Sequence, residues 1–213
     1  MKRRQLIKNL GLGGVALVAT PTVLSLLQSC KSEPVFNTVF LDKAQGRALR
    51  HIVDLIIPSD EAIPGAVDLG VHEFIDMYWN EALIEENKAQ VPLGFNALAD
   101  RLLDATGKTF ENADADDFDA ILAKYLKITP EQEKAHQEKL MAFYRSYEND
   151  KTLIPDPDAG AYSLLTDIRG MTIWGWKNTE KIGEEVLAYA PIPGQQKGCI
   201  SVEEATGGKA YSL

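Results

Sequence analysis

The sequence predicts an all-α domain in which six or seven helices form an irregular bundle, followed by an extended C-terminal tail. Apolar residues recur at intervals of three and four, the spacing that places them on one face of a helix. No stretch shows the sustained alternation of apolar and polar residues that is typical of a strand, and the β-branched residues are scattered. The tail is predicted to lack regular elements because proline and glycine are frequent after Ala190.

Four segments are predicted within the 213 residues. Residues 1–29 are expected to be a signal peptide, and residues 30–38 are expected to be a short polar tether. The helical domain is expected to span residues 39–190, and the extended tail residues 191–213. The length that remains after the signal corresponds to about one domain with a sizeable core.

The first two helical patterns are joined through a segment that we call the hinge, residues 56–76. Pro58 is expected to end the first helix, because proline fixes φ and lacks an amide donor. Pro64 and Gly65 predict a turn, and Asp68 is expected to cap the second helix. The apolar positions are Leu49, Ile52, Val53 and Ile56 in the first helix, and Val71, Phe74, Ile75, Tyr78 and Ala82 in the second.

Five further helical patterns follow, and local signals mark where some of them begin. The acidic run from Asp114 to Asp117 favours a helix N-terminus. Thr129 and Gln132, with Pro130 between them, predict a capping box that opens a long helix. The apolar positions of the five patterns are Phe95, Leu98 and Leu102; Phe118, Ile121, Leu122 and Tyr125; Leu140, Phe143, Tyr144 and Tyr147; Leu164, Ile168, Met171 and Trp174; and Ile182, Val186 and Leu187.

The first thirty residues have the pattern of a bacterial export signal. Arg3 and Arg4 lie in a basic end that matches the twin-arginine pattern, and a diluted apolar run follows. Cys30 ends a Leu-Gln-Ser-Cys sequence that resembles a lipobox, whose cysteine receives a diacylglycerol. The alternative is an uncleaved anchor helix with an incidental cysteine. We expect twin-arginine export and lipid attachment on the periplasmic side of a bacterial membrane.

The charge of the chain excludes some classes of partner. The formal net charge is −9, and the four basic residues of the signal are accompanied by no acidic residue. The remaining chain therefore has 18 basic and 31 acidic residues, a net charge of −13. Nucleic acid is not expected as a partner, because phosphate binding requires clustered lysine and arginine. The membrane is expected to hold the protein through the lipid anchor rather than through a basic patch.

Few residues follow the patterns of catalytic or metal sites. Glu133 and His136 have the spacing of half a di-iron site, but the second copy is missing, which favours a solvated helix face. His72 lies four residues before Asp76, so the two side chains could form a local ion pair. A helix-surface or partly buried histidine that orders the hinge is favoured over a catalytic His72. The glycines of a dinucleotide fold and the haem-attachment motif are also missing, so this chain is expected to hold no cofactor of its own.

Each of three residues near the C-terminus has two alternative roles. Cys199 is expected to be a small buried hydrophobic residue, with a disulfide to a partner chain as the alternative. Trp174 and Trp176 lie close together in the sequence, and their side chains either pack in the core or stack on a sugar. Core packing is the more common use of such residues.

Motifs in the hinge and the tail resemble a known family. The hinge region carries I-I-P-S-D, P-G-A and G-V-H-E-F-I-D, and the tail carries Tyr189, Pro193-Gly194 and Gly198-Cys199. Together they resemble the gluconate 2-dehydrogenase subunit 3 family, the small subunit of membrane-associated flavin dehydrogenases. The middle of the chain, about residues 85–160, carries no motif that we can place.

The resemblance implies a non-catalytic small subunit of an exported dehydrogenase that acts on a sugar, sugar acid or glycoside. The chain would assist the folding, export and membrane attachment of a large subunit of the glucose-methanol-choline type. That large subunit would hold FAD, and a separate cytochrome c would accept electrons. Two alternatives remain open: a stand-alone envelope lipoprotein that binds a ligand or scaffolds other proteins, and an enzyme in its own right.

The partner-binding residues are predicted to lie in two segments. The hinge is stiffened by its prolines, so docking it forfeits little conformational entropy. The tail holds apolar side chains between prolines and glycines that prevent regular pairing. The predicted contact residues are Pro58, Ile63, Pro64, Gly65, Tyr189, Ile192, Pro193, Gly194 and Cys199.

Overall fold

A computed structural model describes residues 36–192, 194 and 198–212 of the chain. The compact unit that it describes begins at Phe36. The predicted signal peptide, with Arg3, Arg4 and Cys30, lies outside the described residues. The helices are α1 (Lys43–Ile56), α2 (Val71–Glu81), α3 (Glu85–Lys88), α4 (Gln90–Thr106), α5 (Ala115–Leu126), α6 (Pro130–Tyr147), α7 (Pro157–Lys177), a π-helix (Lys181–Val186) and α8 (Val202–Thr206).

The prediction of an all-α fold is confirmed. Six of the helices have more than seven residues, and the described residues form no strand beyond one isolated bridge. Amphipathic patterns explain this outcome, because each long helix has one apolar face that another helix must cover. The predicted stripes of α1 and α5 are buried, with Leu49, Ile52, Phe118 and Ile121 almost fully removed from solvent.

Side-chain caps begin most of the long helices. The capping box of Thr129 and Gln132 at α6 is confirmed, with Pro130 in the first turn. Asp42 and Asp114 form equivalent boxes at α1 and α5. Helices α2 and α4 are exceptions: Gly70, with φ 70°, and Ala89 occupy their cap positions, and no side chain caps either helix.

The long helix α7 is the centre of the bundle. It packs against α1, α2, α4, α5 and α6, and Leu165 and Ile168 on its inner face are completely buried. Its closest neighbour is α4, where a Cβ atom at Gly160 would come within 2.9 Å of the Ala97 side chain. Tyr125 fixes the start of α7, because its hydroxyl donates to Asp158 at 2.5 Å. The bundle therefore depends on a helix near the end of the domain.

The tail contains more structure than the sequence predicted. Ser201 caps the short helix α8, and the segment beyond α8 returns to the end of the helical domain. There Ala188 accepts a hydrogen bond from the Ser212 amide at 3.1 Å and donates one to the Ala210 carbonyl at 2.9 Å. The expectation that residues 191–213 lack a regular element is therefore wrong for this part of the tail. Among the described residues, no helix is long and apolar enough to cross a membrane.

Candidate partner-binding surfaces

The hinge is a tightly hydrogen-bonded loop. The Ser59 hydroxyl accepts a hydrogen bond from the Gly65 amide at 2.8 Å and donates one to the Asp68 carboxylate at 2.5 Å. The Asp60 carboxylate accepts hydrogen bonds from the backbone amides of residues 62 and 63, both at 2.7 Å. These two hydrogen bonds lower the pKa of Asp60. The Ala66 amide donates to the carbonyl of residue 57 and closes the base of the loop. Asp68 therefore stabilises the loop through Ser59, and the prediction that it caps α2 is wrong.

Gly65 occupies a position that no side chain fits. A Cβ atom there would lie 2.5 Å from the Ser59 nitrogen and 2.7 Å from the Ile57 oxygen. Both are backbone atoms, which cannot rotate away as a side chain would. The hinge therefore requires glycine because its two ends approach closely, and Gly65 itself is buried.

Trp176 ties the hinge to the end of α7. Its indole N–H donates to the Pro64 carbonyl at 3.0 Å, across 112 residues of sequence. Its ring is half-buried against the core, which agrees with the reading of core packing. Trp174 differs, because 54% of its surface is exposed, so that reading is wrong for this residue.

Replacing Trp176 with phenylalanine is expected to lower the free energy of unfolding by about 1 kcal/mol. The variant keeps an aromatic ring but leaves the Pro64 carbonyl without its donor. Denaturant unfolding followed by circular dichroism measures the change. Trp174→Phe is the matched control and should shift the midpoint much less. Equal shifts in the two variants would contradict the role of the indole hydrogen bond.

The predicted contact residues of the hinge differ in exposure. Pro58 is exposed, whereas Ile63 and Pro64 are half-buried. Because Gly65 is buried, it can shape a surface but cannot contribute much area to it. The part of the hinge that faces solvent is therefore the loop around Pro58 and residues 59–62.

The predicted contact residues of the tail are open to solvent. Tyr189 is exposed, and 88% of the surface of Ile192 is exposed. Gly194 and Cys199 both have positive φ, at 45° and 55°. Cys199 is exposed and free, so the expectation of a buried hydrophobic residue is wrong. Pro193 lies outside the described residues.

No described hydrogen bond links the predicted contact residues of the hinge to those of the tail. No hydrogen bond joins Ile63 or Pro64 to Tyr189 or Ile192. The hinge is fixed by its own side chains and by Trp176, whereas the last part of the tail is hydrogen-bonded to Ala188 at the end of the helical domain. Partner binding through either segment remains a prediction.

Two buried polar residues of α2 anchor the beginning of the domain. The Asp76 carboxylate accepts the backbone amides of Val39 at 2.5 Å, Phe40 at 3.2 Å and Leu41 at 2.9 Å. His72 contacts the edge of the Phe36 ring, with 4.9 Å between ring centroids, and burial lowers the pKa of His72. The expected ion pair between His72 and Asp76 is wrong, because the carboxylate faces the amides. His72 and Asp76 of the G-V-H-E-F-I-D motif therefore stabilise the beginning of the domain.

Glu133 and His136 connect α6 to α7. Glu133 accepts a hydrogen bond from the Tyr162 hydroxyl at 3.2 Å, and the His136 ring stacks on Tyr162 with 4.9 Å between centroids. The expectation of a solvated face holds for the exposed Glu133 but is wrong for His136, which is half-buried. In the described part of the chain, no three His, Cys, Asp or Glu side chains are arranged to hold a metal ion.

A groove along α7 was not predicted from the sequence. It has a volume of about 640 Å³, and α2, α4 and α6 form its walls. The α7 residues that line it lie largely on one helical face. The principal contributors from α7 are Ser163, Leu164, Asp167, Gly170 and Met171, and the aromatic residues of the walls are Tyr78, Trp79, Phe143 and Tyr144.

Two polar groups in the groove lack partners among the described residues. The Thr166 hydroxyl is shielded from water and makes no hydrogen bond. Asp167 has no basic side chain within ion-pair distance, although its side chain still reaches solvent at the mouth. The surrounding walls raise the pKa of Asp167 to about 6 through burial. A polar ligand or side chain would satisfy both groups.

An aromatic patch extends from the mouth of the groove. We define this patch as Phe74, Tyr78 and Trp174. The Phe74 ring lies 5.9 Å from that of Tyr78 and 5.5 Å from that of Trp174. Tyr78 also lines the groove, so the two surfaces are continuous. Tyr78 and Trp174 are exposed and Phe74 is half-buried, so the patch is open to solvent.

A sequence signal for the groove does exist. Ser163 and Gly170 lie seven residues apart in a helix that is otherwise apolar on several sides. Small residues at this spacing indicate a helix face that no large side chain fills. The apolar stripe of Leu164, Ile168 and Met171 is the stronger pattern in α7, so the second helical face is not recognised from the sequence.

Comparison with known proteins gives one match. A family model described as gluconate 2-dehydrogenase subunit 3 matches residues 43–194, which is more than two thirds of the chain. The matched range begins with the first residue of α1 and includes the hinge, α7 and the first residues of the tail. No curated protein and no solved structure shows significant similarity to the chain.

Proposed function

This chain belongs to the gluconate 2-dehydrogenase subunit 3 family, and we propose that it is the non-catalytic small subunit of an exported flavin-dependent dehydrogenase. In this proposal a large subunit of the glucose-methanol-choline type holds FAD and oxidises a sugar, sugar acid or glycoside. A cytochrome c accepts the electrons. The present chain assists the folding, export and membrane attachment of the large subunit. The observation that carries the proposal is the family match over residues 43–194.

The geometry of the motif residues in the hinge supports an accessory role. The Ser59 hydroxyl lies between the Gly65 amide and the Asp68 carboxylate, so it is engaged in holding the loop. The Asp76 carboxylate is likewise engaged by backbone amides. Side chains that are committed to internal hydrogen bonds shape a surface rather than carry out chemistry on a substrate. This is the arrangement expected of a subunit whose function is to bind another protein.

Export and attachment are proposed to depend on the N-terminal segment. Arg3 and Arg4 would direct the folded chain, together with a signal-less large subunit, through the twin-arginine route. Cys30 would then carry the lipid that holds the complex at the membrane. The mature chain has a net charge of −13 and no prominent basic cluster, so the acyl chains would supply the membrane affinity.

The proposal is tested by isolating the tagged chain from its native host. We expect a large flavoprotein to co-purify, with flavin absorbance in the eluate, and mass spectrometry to identify it as a glucose-methanol-choline-type enzyme. Replacing Arg3 and Arg4 together by lysine should leave both proteins in the cytoplasm, whereas replacing Lys31 by arginine is the matched control. Isolation of the chain without a flavoprotein would contradict the proposal and favour a stand-alone lipoprotein.

A further inference from the structure

We propose that the groove along α7 binds an apolar segment of the large subunit that carries one lysine or arginine, and that Asp167 pairs with that basic side chain. This inference rests on the proposed function, because it assigns a surface to the partner proposed there. It places the centre of the interface in a groove whose lining residues lie outside the motifs of the hinge and the tail.

The charge of the groove determines which group it would accept. Asp167 is the single acidic or basic side chain among the residues that line it. No described lysine, arginine or histidine lies within ion-pair distance of this carboxylate. The Asp167 carboxylate is exposed at the mouth of the groove, beside its apolar walls, and a cation that covers it there is attracted more strongly than in open water. A basic group is therefore the complementary partner.

The shape of the groove favours an extended contact. Its floor follows α7 from Gly160 to Met171, a distance of about 16 Å at 1.5 Å per residue. A Cβ atom added at Gly170 would meet no other atom within 4 Å, so the floor is open at this point. A segment that lies along α7 can therefore place several apolar side chains against the walls and its basic side chain near Asp167.

The aromatic patch indicates that the occupant is a protein segment rather than a small amine. The patch is continuous with the groove through Tyr78, and 54% of the Trp174 surface is exposed. A small amine bound at Asp167 would leave Phe74 and Trp174 facing water. A protein segment that continues out of the groove would cover them, and aromatic residues are frequent anchors in protein interfaces. The negative charge of the chain also favours a basic partner surface.

Two variants test the groove without disturbing the fold. Asp167→Asn removes the charge at nearly constant shape. Gly170→Leu fills the open floor, and it should preserve or raise thermal stability because glycine is unfavourable within a helix. The matched controls are Asp119→Asn and Ala120→Leu, which change exposed positions of α5, a helix that contributes none of the lining residues.

The measurement is the affinity of the full-length chain for the co-purified large subunit, with flavin absorbance as the readout. We expect Asp167→Asn and Gly170→Leu each to weaken binding about ten-fold or more, and the two controls to bind as the wild type does. Wild-type affinity in both groove variants would overturn the inference while leaving the proposed function intact. Failure of the wild-type chain to capture any flavoprotein would overturn the proposed function and this inference with it.

Other occupants of the groove give distinct results. If a second copy of the chain filled the groove, light scattering would show a dimer that Gly170→Leu converts to a monomer. If a free amine filled it, mass spectrometry of the native isolate would detect that amine, and Asp167→Asn would release it without affecting the large subunit. Either result would contradict the assignment of the groove to the large subunit.

Discussion

Replacing Asp76 with alanine is expected to destabilise the domain by about 3 kcal/mol or more. The Asp76 carboxylate is 1% exposed and accepts three consecutive backbone amides, those of Val39, Phe40 and Leu41. Alanine would leave these donors without their acceptor, and each buried donor that loses its partner costs about 1–3 kcal/mol. Because the exposed Val39 amide can bind water instead, the two amides that follow it should account for most of the loss.

Equilibrium unfolding in urea measures this prediction. Asp100→Ala is the matched control, because Asp100 is an exposed residue of α4 for which no hydrogen bond is described. Asp76→Asn should fall between the wild type and Asp76→Ala, because it retains one acceptor oxygen. If Asp76→Ala unfolded at the same urea concentration as Asp100→Ala, the anchoring role of the carboxylate would be refuted.

Replacing Gly65 with alanine is expected to destabilise the hinge by about 2–3 kcal/mol. The new Cβ atom would lie 2.5–2.7 Å from three backbone atoms of residues 57–59. The loop would have to open to relieve these contacts, and the hydrogen bond from the Gly65 amide to Ser59 would lengthen. Inserting a group into a closely packed site typically costs 1–3 kcal/mol.

Gly170→Ala provides the control for the Gly65 substitution. Both changes add one methyl group to a glycine, but at Gly170 the methyl group meets no atom within 4 Å. The control should therefore be neutral or should stabilise α7 by roughly 0.5–1 kcal/mol. Urea unfolding and the near-ultraviolet circular dichroism of Trp176 report on the two variants. Equal unfolding midpoints for Gly65→Ala and the wild type would show that the loop adapts without cost.

Local signals in the sequence predicted much of the fold. The capping box at Thr129 and the apolar stripes of α1 and α5 depend on residues within a few positions of one another, so they are visible without a structure. Pro58 also indicated the end of α1 correctly, to within two residues. These features occur in the structure as predicted because local capping and amphipathic packing favour the same helices.

The errors came from contacts between residues that are distant in the sequence. Asp76 was paired with its neighbour His72 because helix spacing allows it, whereas the carboxylate instead binds amides more than 30 residues away. Asp68 was expected to cap α2, whereas its carboxylate accepts a hydrogen bond from the Ser59 hydroxyl across the loop. A carboxylate binds wherever the folded chain places the best donors, and the sequence does not reveal that position.

The candidate site was predicted in part. The motifs indicated the hinge, and the structure shows why Gly65 and Pro64 occur there, through a close backbone approach and a bond to Trp176. The groove depends on four helices that meet only after folding, and the small residues Ser163 and Gly170 indicate only its α7 face. Asp167 was overlooked for the same reason, because its surroundings come from other helices.

The position of α7 near the end of the domain also determines when the chain can fold during its synthesis. Five other helices pack against α7, so their shared core stays open until Lys177 has left the ribosome. The predicted export signal appears about 150 residues earlier, which corresponds to roughly 7–30 s at a translation rate of about 5–20 residues per second. Throughout that interval the predicted signal is outside the ribosome while the core of the domain is still incomplete. If the predicted twin-arginine signal directs export, its recognition must wait until α7 has packed.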